Sequence, residues 1–82
     1  MKIANVGANQ TEVNIRGDIF LVSYSTTVAA YYPHTRLFII SEFKWSKTTT
    51  KHINAFILRN KIGAYQIEYK EQKYFDNIMA AK

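Results

Sequence analysis

The 82-residue sequence contains no cysteine, which removes two common ways of holding so small a chain together. Neither a disulfide nor a thiolate zinc site is open to it, and a nucleophile would have to be Ser, Thr, Lys or Tyr. Proline occurs once and glycine three times, at Gly7, Gly17 and Gly63. That scatter excludes a glycine-rich phosphate loop, and there is no repeat, linker or low-complexity segment. Long apolar runs are missing too. The longest, Val28-Ala29-Ala30-Tyr31-Tyr32, has five residues, against the ~20 that a membrane helix needs. Residues 1–7 are too polar for a secretory signal. The expectation is a soluble cytoplasmic chain with no membrane partner.

Acids are scarce in one stretch. None lies between Glu42 and Glu68, where Lys44, Lys47, Lys51, Arg59 and Lys61 all fall. Residues 1–43 hold three cations and three acids, whereas residues 44–82 hold eight cations and three acids and so the whole net charge of +5. One-sided charge of this kind suits a polyanion or an acidic protein surface. It also serves as a solvated face that keeps a protein dispersed.

What is present suffices for one core. Hydrophobic residues make up 48% and aromatics 15%, well above a disordered composition. A chain of this size buries roughly 60–65% of its unfolded surface, enough for a single domain over residues 1–82. Residues 1–10 read as a loosely ordered lead-in with a short edge strand over 2–6. Thr11-Glu12-Val13-Asn14-Ile15-Arg16 alternates at period two, and Gly17-Asp18 supplies a two-residue turn into Ile19–Tyr24. That loop pairs Ile15 with Phe20 and Val13 with Val22, placing Val13, Ile15, Phe20, Val22 and Tyr24 on one face. Val28–Tyr32 is a third strand, ended by Pro33. Residues 36–45 form a fourth, with Leu37, Ile39, Phe43 and Trp45 toward the core.

At Ser46 the period changes to that of a helix over about 46–60. Ser46 is a good N-cap, and Gly63 is placed for a left-handed C-cap. With Ile53 at the centre of the buried stripe, Thr49, Phe56, Ile57 and Asn60 lie within about 60° of it, and Lys47 and Lys51 point outward with Leu58. Residues 64–69 alternate as a fifth strand. Tyr74, Phe75, Ile78 and Met79 make a short amphipathic C-terminal helix, through which a homodimer would cover surplus apolar surface. The fold expected is α+β: an antiparallel four- to five-stranded meander with the main helix on one face.

No catalytic constellation is evident. Ser46 and His52 sit about 240° apart around a helix, outside proton-transfer reach. His34 and His52 lack a partner at metal-ligand spacing, so no metal or cofactor is expected, and His52 reads as a partly exposed helix residue bonded to a hydroxyl or a carbonyl. The chemistry that remains is anion binding. Lys44, Lys47, Lys51, Arg59 and Lys61 can neutralise phosphates, and Thr48 stands among the hydroxyls of a helix N-terminus, a natural anion seat. One of Tyr31 and Tyr32 must point away from a one-sided core and could stack on bases, whereas Trp45 reads as core.

Two blocks, Ser23-Tyr24-Ser25-Thr26-Thr27-Val28-Ala29-Ala30 and Trp45-Ser46-Lys47-Thr48-Thr49-Thr50-Lys51-His52-Ile53-Asn54, resemble a small domain family of tailed-phage and prophage genomes. With the hairpin before them they cover residues 11–60; Thr27 stands where the family often has proline, and the tail has no counterpart. The resemblance implies a viral or mobile-element origin and a bacterial host cytoplasm, and assigns no role to any residue. The expected function is that of a small non-enzymatic phage-type accessory protein that binds nucleic acid through Lys44–Lys61. The alternative is a protein-interaction module whose partner is an acidic host protein, such as an inhibitor of a host defence or nucleic-acid-handling complex.

Overall fold

The computed structural model describes residues 2–80. Among them a sheet of six strands runs in sequence order: β1 (Lys2–Gly7), β2 (Gln10–Ile15), β3 (Asp18–Ser23), β4 (Thr26–Tyr32), β5 (Leu37–Ser41) and β6 (Gln66–Lys70). Helix α1 (Lys47–Asn60) connects β5 to β6, and α2 (Gln72–Ala80) follows β6. The α+β meander is as expected; the edge strand read over 2–6 is β1, so residues 2–10 are paired strand and turn and not a loose lead-in, and the sheet has six strands. β1 to β5 pair antiparallel, but β6 lies parallel to β5. Parallel neighbours need a long crossover, and α1 is that crossover.

The first hairpin turns one residue earlier than the sequence suggests. Arg16 and Gly17 are its loop, both at positive φ (54° and 91°), so Ile15 faces Asp18 and Val13 faces Phe20. Two successive positive φ values match the right-handed twist of the strands, and the Gly17 amide donates to Asn14 Oδ1 at 3.1 Å. Moving the loop by one residue shifts each pair by two, so the side-chain faces are unchanged. Val13, Ile15, Phe20 and Val22 do share a face, whereas Tyr24 leaves it for the next turn, at φ 57°.

Both faces of the sheet are covered. On one, α1 lays Ile53 and Phe56 against Leu21, Val28, Tyr31, Phe38 and Ile40; on the other, Phe75 of α2 packs on Val13, Phe20, Ala30 and Ile39. A register shift between Leu21 and Val22 inserts Val28 as an extra residue, so Val28 and Ala29 both serve the α1 side. Two-sided cover explains why residues 28–32 and 37–40 are apolar one after another. Leu37 and Ile39 point to the core as expected, on the α2 side. Two expectations are corrected. Phe43 is 59% exposed, because β5 ends at Ser41 and the period-two pattern with it. Neither Tyr31 nor Tyr32 is left outside: Tyr31 stacks on Phe38 at 4.2 Å, and the Tyr32 hydroxyl bonds that of Tyr74 at 2.9 Å. Burial and that bond push the Tyr32 phenol well above the usual tyrosine range.

α1 begins as read, with the Thr49 amide donating to Ser46 Oγ at 3.3 Å. It ends differently. Lys61 is the C-cap in extended conformation, its amide still reaching Ile57 O, and Gly63 takes its positive φ two residues later, inside the loop. In α2, Phe75 is buried in the core of the second face, and Tyr74 and Ile78 pack against it half-buried; the Met79 side chain lies outside the described residues. Replacing Phe75 with Ala is expected to cost about 3–5 kcal/mol in urea unfolding. A loss below about 1 kcal/mol would mean that α2 is not part of the core.

Candidate nucleic-acid interface

The two sequence blocks meet beneath the start of α1. Ser23, at the end of β3, is 3% exposed; Thr49 and His52 come down onto it from α1, with His52 6% exposed. Ser23 Oγ lies 2.8 Å from His52 Nδ1 and 3.1 Å from Thr49 Oγ1, and the Ser46 hydroxyl reaches Thr49 Oγ1 at 3.4 Å. Ser46, Thr49, Ser23 and His52 thus form one chain of polar contacts, capped on the solvent side by the Tyr24 ring, 5.9 Å from the imidazole. His52 is therefore buried and not partly exposed, though its partner is a hydroxyl as expected. At about 100° from Ile53 it falls outside the stripe read from the sequence, and only the tertiary fold, by supplying Ser23, shows it to be an inner residue.

A serine hydroxyl at 2.8 Å from an imidazole nitrogen has the separation of a nucleophile–base pair. The third member of the set is the Thr49 hydroxyl, and all three side chains are buried. Among the described residues no group of three His, Asp or Glu side chains is placed to hold a metal. The arrangement clamps α1 to β3.

The five cations divide into two groups. Lys47 and Lys51 stand one turn apart on the outer ridge of α1, with Asn54 and the 66% exposed Leu58. Lys44, in the loop between β5 and α1, lines a groove of about 430 Å³ together with Phe43, Trp45, Thr50, Asn54 and Tyr69. This groove opens at the carboxyl ends of the parallel pair β5 and β6, beside the N-terminus of the crossover helix. Thr48 is exposed in the same first turn, which holds no acid. Arg59 and Lys61 lie at the other end of the helix, ~20 Å along its axis at about 1.5 Å per residue. Arg59 is engaged: its Nε and Nη2 lie 2.8 and 2.7 Å from Glu12 Oε2, on β2. Lys61 sits over the Tyr65 ring at 6.0 Å.

Electrostatics single out the first group. The N-terminus of a helix is the positive end of its dipole, a poor place for cations. Ser46 accepts from the amides of Thr49 and Thr50, through Oγ and the carbonyl oxygen, leaving those of Lys47 and Thr48 without an intrahelical partner. Lys44, Lys47, Lys51 and two amide groups therefore concentrate positive charge at one end of α1. Phe43 and Tyr69 were absent from the set of site residues expected from the sequence. Tyr69 was legible as a strand residue, but which helix its strand lies beside was not.

A family of proteins of unknown function, DUF8033, matches residues 1–77. The chain belongs to that family. The match reaches beyond the two blocks to take in β1, β6 and the first six residues of α2. Comparison with curated proteins and with solved structures gives no match.

The clamp and the ion pair should differ in weight. Ser23→Ala strands a buried imidazole nitrogen and is expected to cost about 1–3 kcal/mol. Glu12→Gln, in a pair whose side chains are 32% and 15% exposed, is expected to cost less than about 1 kcal/mol. Urea unfolding of both variants checks the order, and the reverse order would show that the buried contacts do not clamp the helix.

Proposed function

We propose that this DUF8033 protein is a non-enzymatic accessory protein of the kind tailed phages encode, and that it binds nucleic acid in the cytoplasm of a bacterial host. The observation that carries this reading is the gathering of Lys44, Lys47 and Lys51 around an acid-free helix N-terminus, beside a groove walled by Phe43, Trp45 and Tyr69. Cations and helix-terminal amides take phosphates, and the exposed faces of Phe43 and Tyr69 offer bases a stacking surface. Stacking of that kind favours single strands. Arg59 contributes little, since Glu12 already holds it, and Lys61 lies too far along the helix to join the same contact.

Fluorescence anisotropy with labelled single-stranded DNA and RNA tests this. Affinity should fall steeply with salt, and a Lys44→Glu, Lys47→Glu, Lys51→Glu triple variant should lose at least about tenfold in affinity and flatten the salt slope by about 2. Lys61→Glu should change affinity less than about threefold. Absence of binding at low salt by the folded protein would overturn the reading.

A second reading rests on a different observation, the exposed apolar pair Leu58 and Ile62 bordering the cationic ridge. That mixture fits an acidic surface on a host protein, as for an inhibitor of a defence or nucleic-acid-handling complex. It predicts a stoichiometric complex with one acidic host protein in a tagged pull-down, lost in a Leu58→Asp variant. A complex indifferent to that substitution would count against it.

A further inference from the structure

Strand β6 is an open edge of unusual form. All five of its residues are exposed, and they alternate as Gln66-Ile67-Glu68-Tyr69-Lys70. In a parallel ladder alternate residues bond the neighbouring strand. The Gln66 amide donates to Arg36 O at 3.0 Å, and Lys70 O accepts from the Glu42 amide at 2.9 Å. Residues 66, 68 and 70 therefore spend their backbone groups on β5, whereas the N–H and C=O groups of Ile67 and Tyr69 point outward. The register with β5 places the side chains as well. Ile67 and Tyr69 lie beside Phe38 and Ile40 on the α1 side, and Glu68 and Lys70 lie on the α2 side. The opposite edge differs: β1 carries a register shift between Asn5 and Gly7 that interrupts its ladder.

We infer that β6 pairs with β6 of a second copy of the chain, antiparallel, about a two-fold axis at Tyr69. The strand is complementary to itself in that register. Tyr69 meets Tyr69 across a hydrogen-bonded pair, and the outward N–H and C=O groups of each satisfy those of the other. On the α2 side Glu68 of each copy then stands opposite Lys70 of the other, in non-hydrogen-bonded pairs where side chains approach most closely. The neighbouring register, centred on Glu68, would set Glu68 against Glu68 and is disfavoured by like charge. An unpaired edge and a charge pattern that complements itself when the strand is reversed fit one occupant, a second copy. The axis runs perpendicular to the sheet, so both α1 layers fall on the same side of one continuous sheet.

Sedimentation at several concentrations tests this, with circular dichroism confirming that each variant is folded. The wild-type protein should form a dimer. Glu68→Lys and Lys70→Glu should each weaken it about tenfold or more, because each turns two attractive pairs into repulsive ones. The double variant should restore the dimer to within about threefold of wild type. A wild-type monomer at every concentration would overturn the inference, and so would a dimer unmoved by the single substitutions. None of these readouts depends on nucleic acid, so the pairing stands or falls apart from the proposed function.

Discussion

Phe38 is the residue on which the α1 half of the molecule depends. It is fully buried in β5, stacks on Tyr31 of β4 at 4.2 Å, meets Phe56 of α1 edge-on at 5.9 Å and Tyr65 edge-on at 5.3 Å. One ring thus joins the sheet to the crossover helix and to the segment leading into β6. The contacts are geometrically specific, since edge-to-face rings fix orientation as well as distance. Because Phe38 and its neighbours fill the α1 side, Leu37 and Ile39 are turned to the other side, where only a second helix can keep them from water. The covering of both faces follows from this alternation in β5.

The buried Ser23–Thr49–His52 contacts act on the same helix in a different way. Apolar packing holds α1 down but tolerates small rotations, whereas a buried polar chain is satisfied in one alignment only and costs stability in any other. The clamp thereby sets which residues of the first turns face outward: helical spacing puts Lys47 and Lys51 on one ridge, and the clamp turns that ridge to solvent. Structure and proposed ligand contact are linked through a single turn of helix, its inner side polar and buried, its outer side cationic and exposed.

Much of this was readable from residue order. The alternation of Val13 to Val22 placed the first hairpin's faces correctly even though its loop lies one residue earlier, because a shift of two in pairing preserves the face. Ser46 and the change of period marked the start of α1, and the helical angles separated Ser46 from His52. The reading failed where one local pattern fits two environments. Period two in residues 36–45 assigned Phe43 to the core, since nothing in the run signals that the strand stops at Ser41. Tyr31 and Tyr32 looked like one inside and one outside residue, because a sheet with one helix layer has an outside.

The basic segment shows the same division. Its charges and lack of acids are properties of the chain, legible without coordinates, but charge spacing along a chain does not say which cations share a surface. Arg59 is drawn off by Glu12, 47 residues earlier. Phe43 and Lys44, neighbours in the chain, are joined to Tyr69 only because α1 carries the chain back to lay β6 parallel to β5. By itself the sequence determined the elements, the faces of the strongly alternating strands, the helix cap and the segment of the chain that carries the charge, all of which depend on residues a few positions apart. Tertiary structure alone decided that the sheet is covered twice, that Ser23 meets His52, that Arg59 pairs with Glu12, and that β6 is left as an open edge. Each of those requires residues far apart in the chain to meet, and no local period encodes such a meeting.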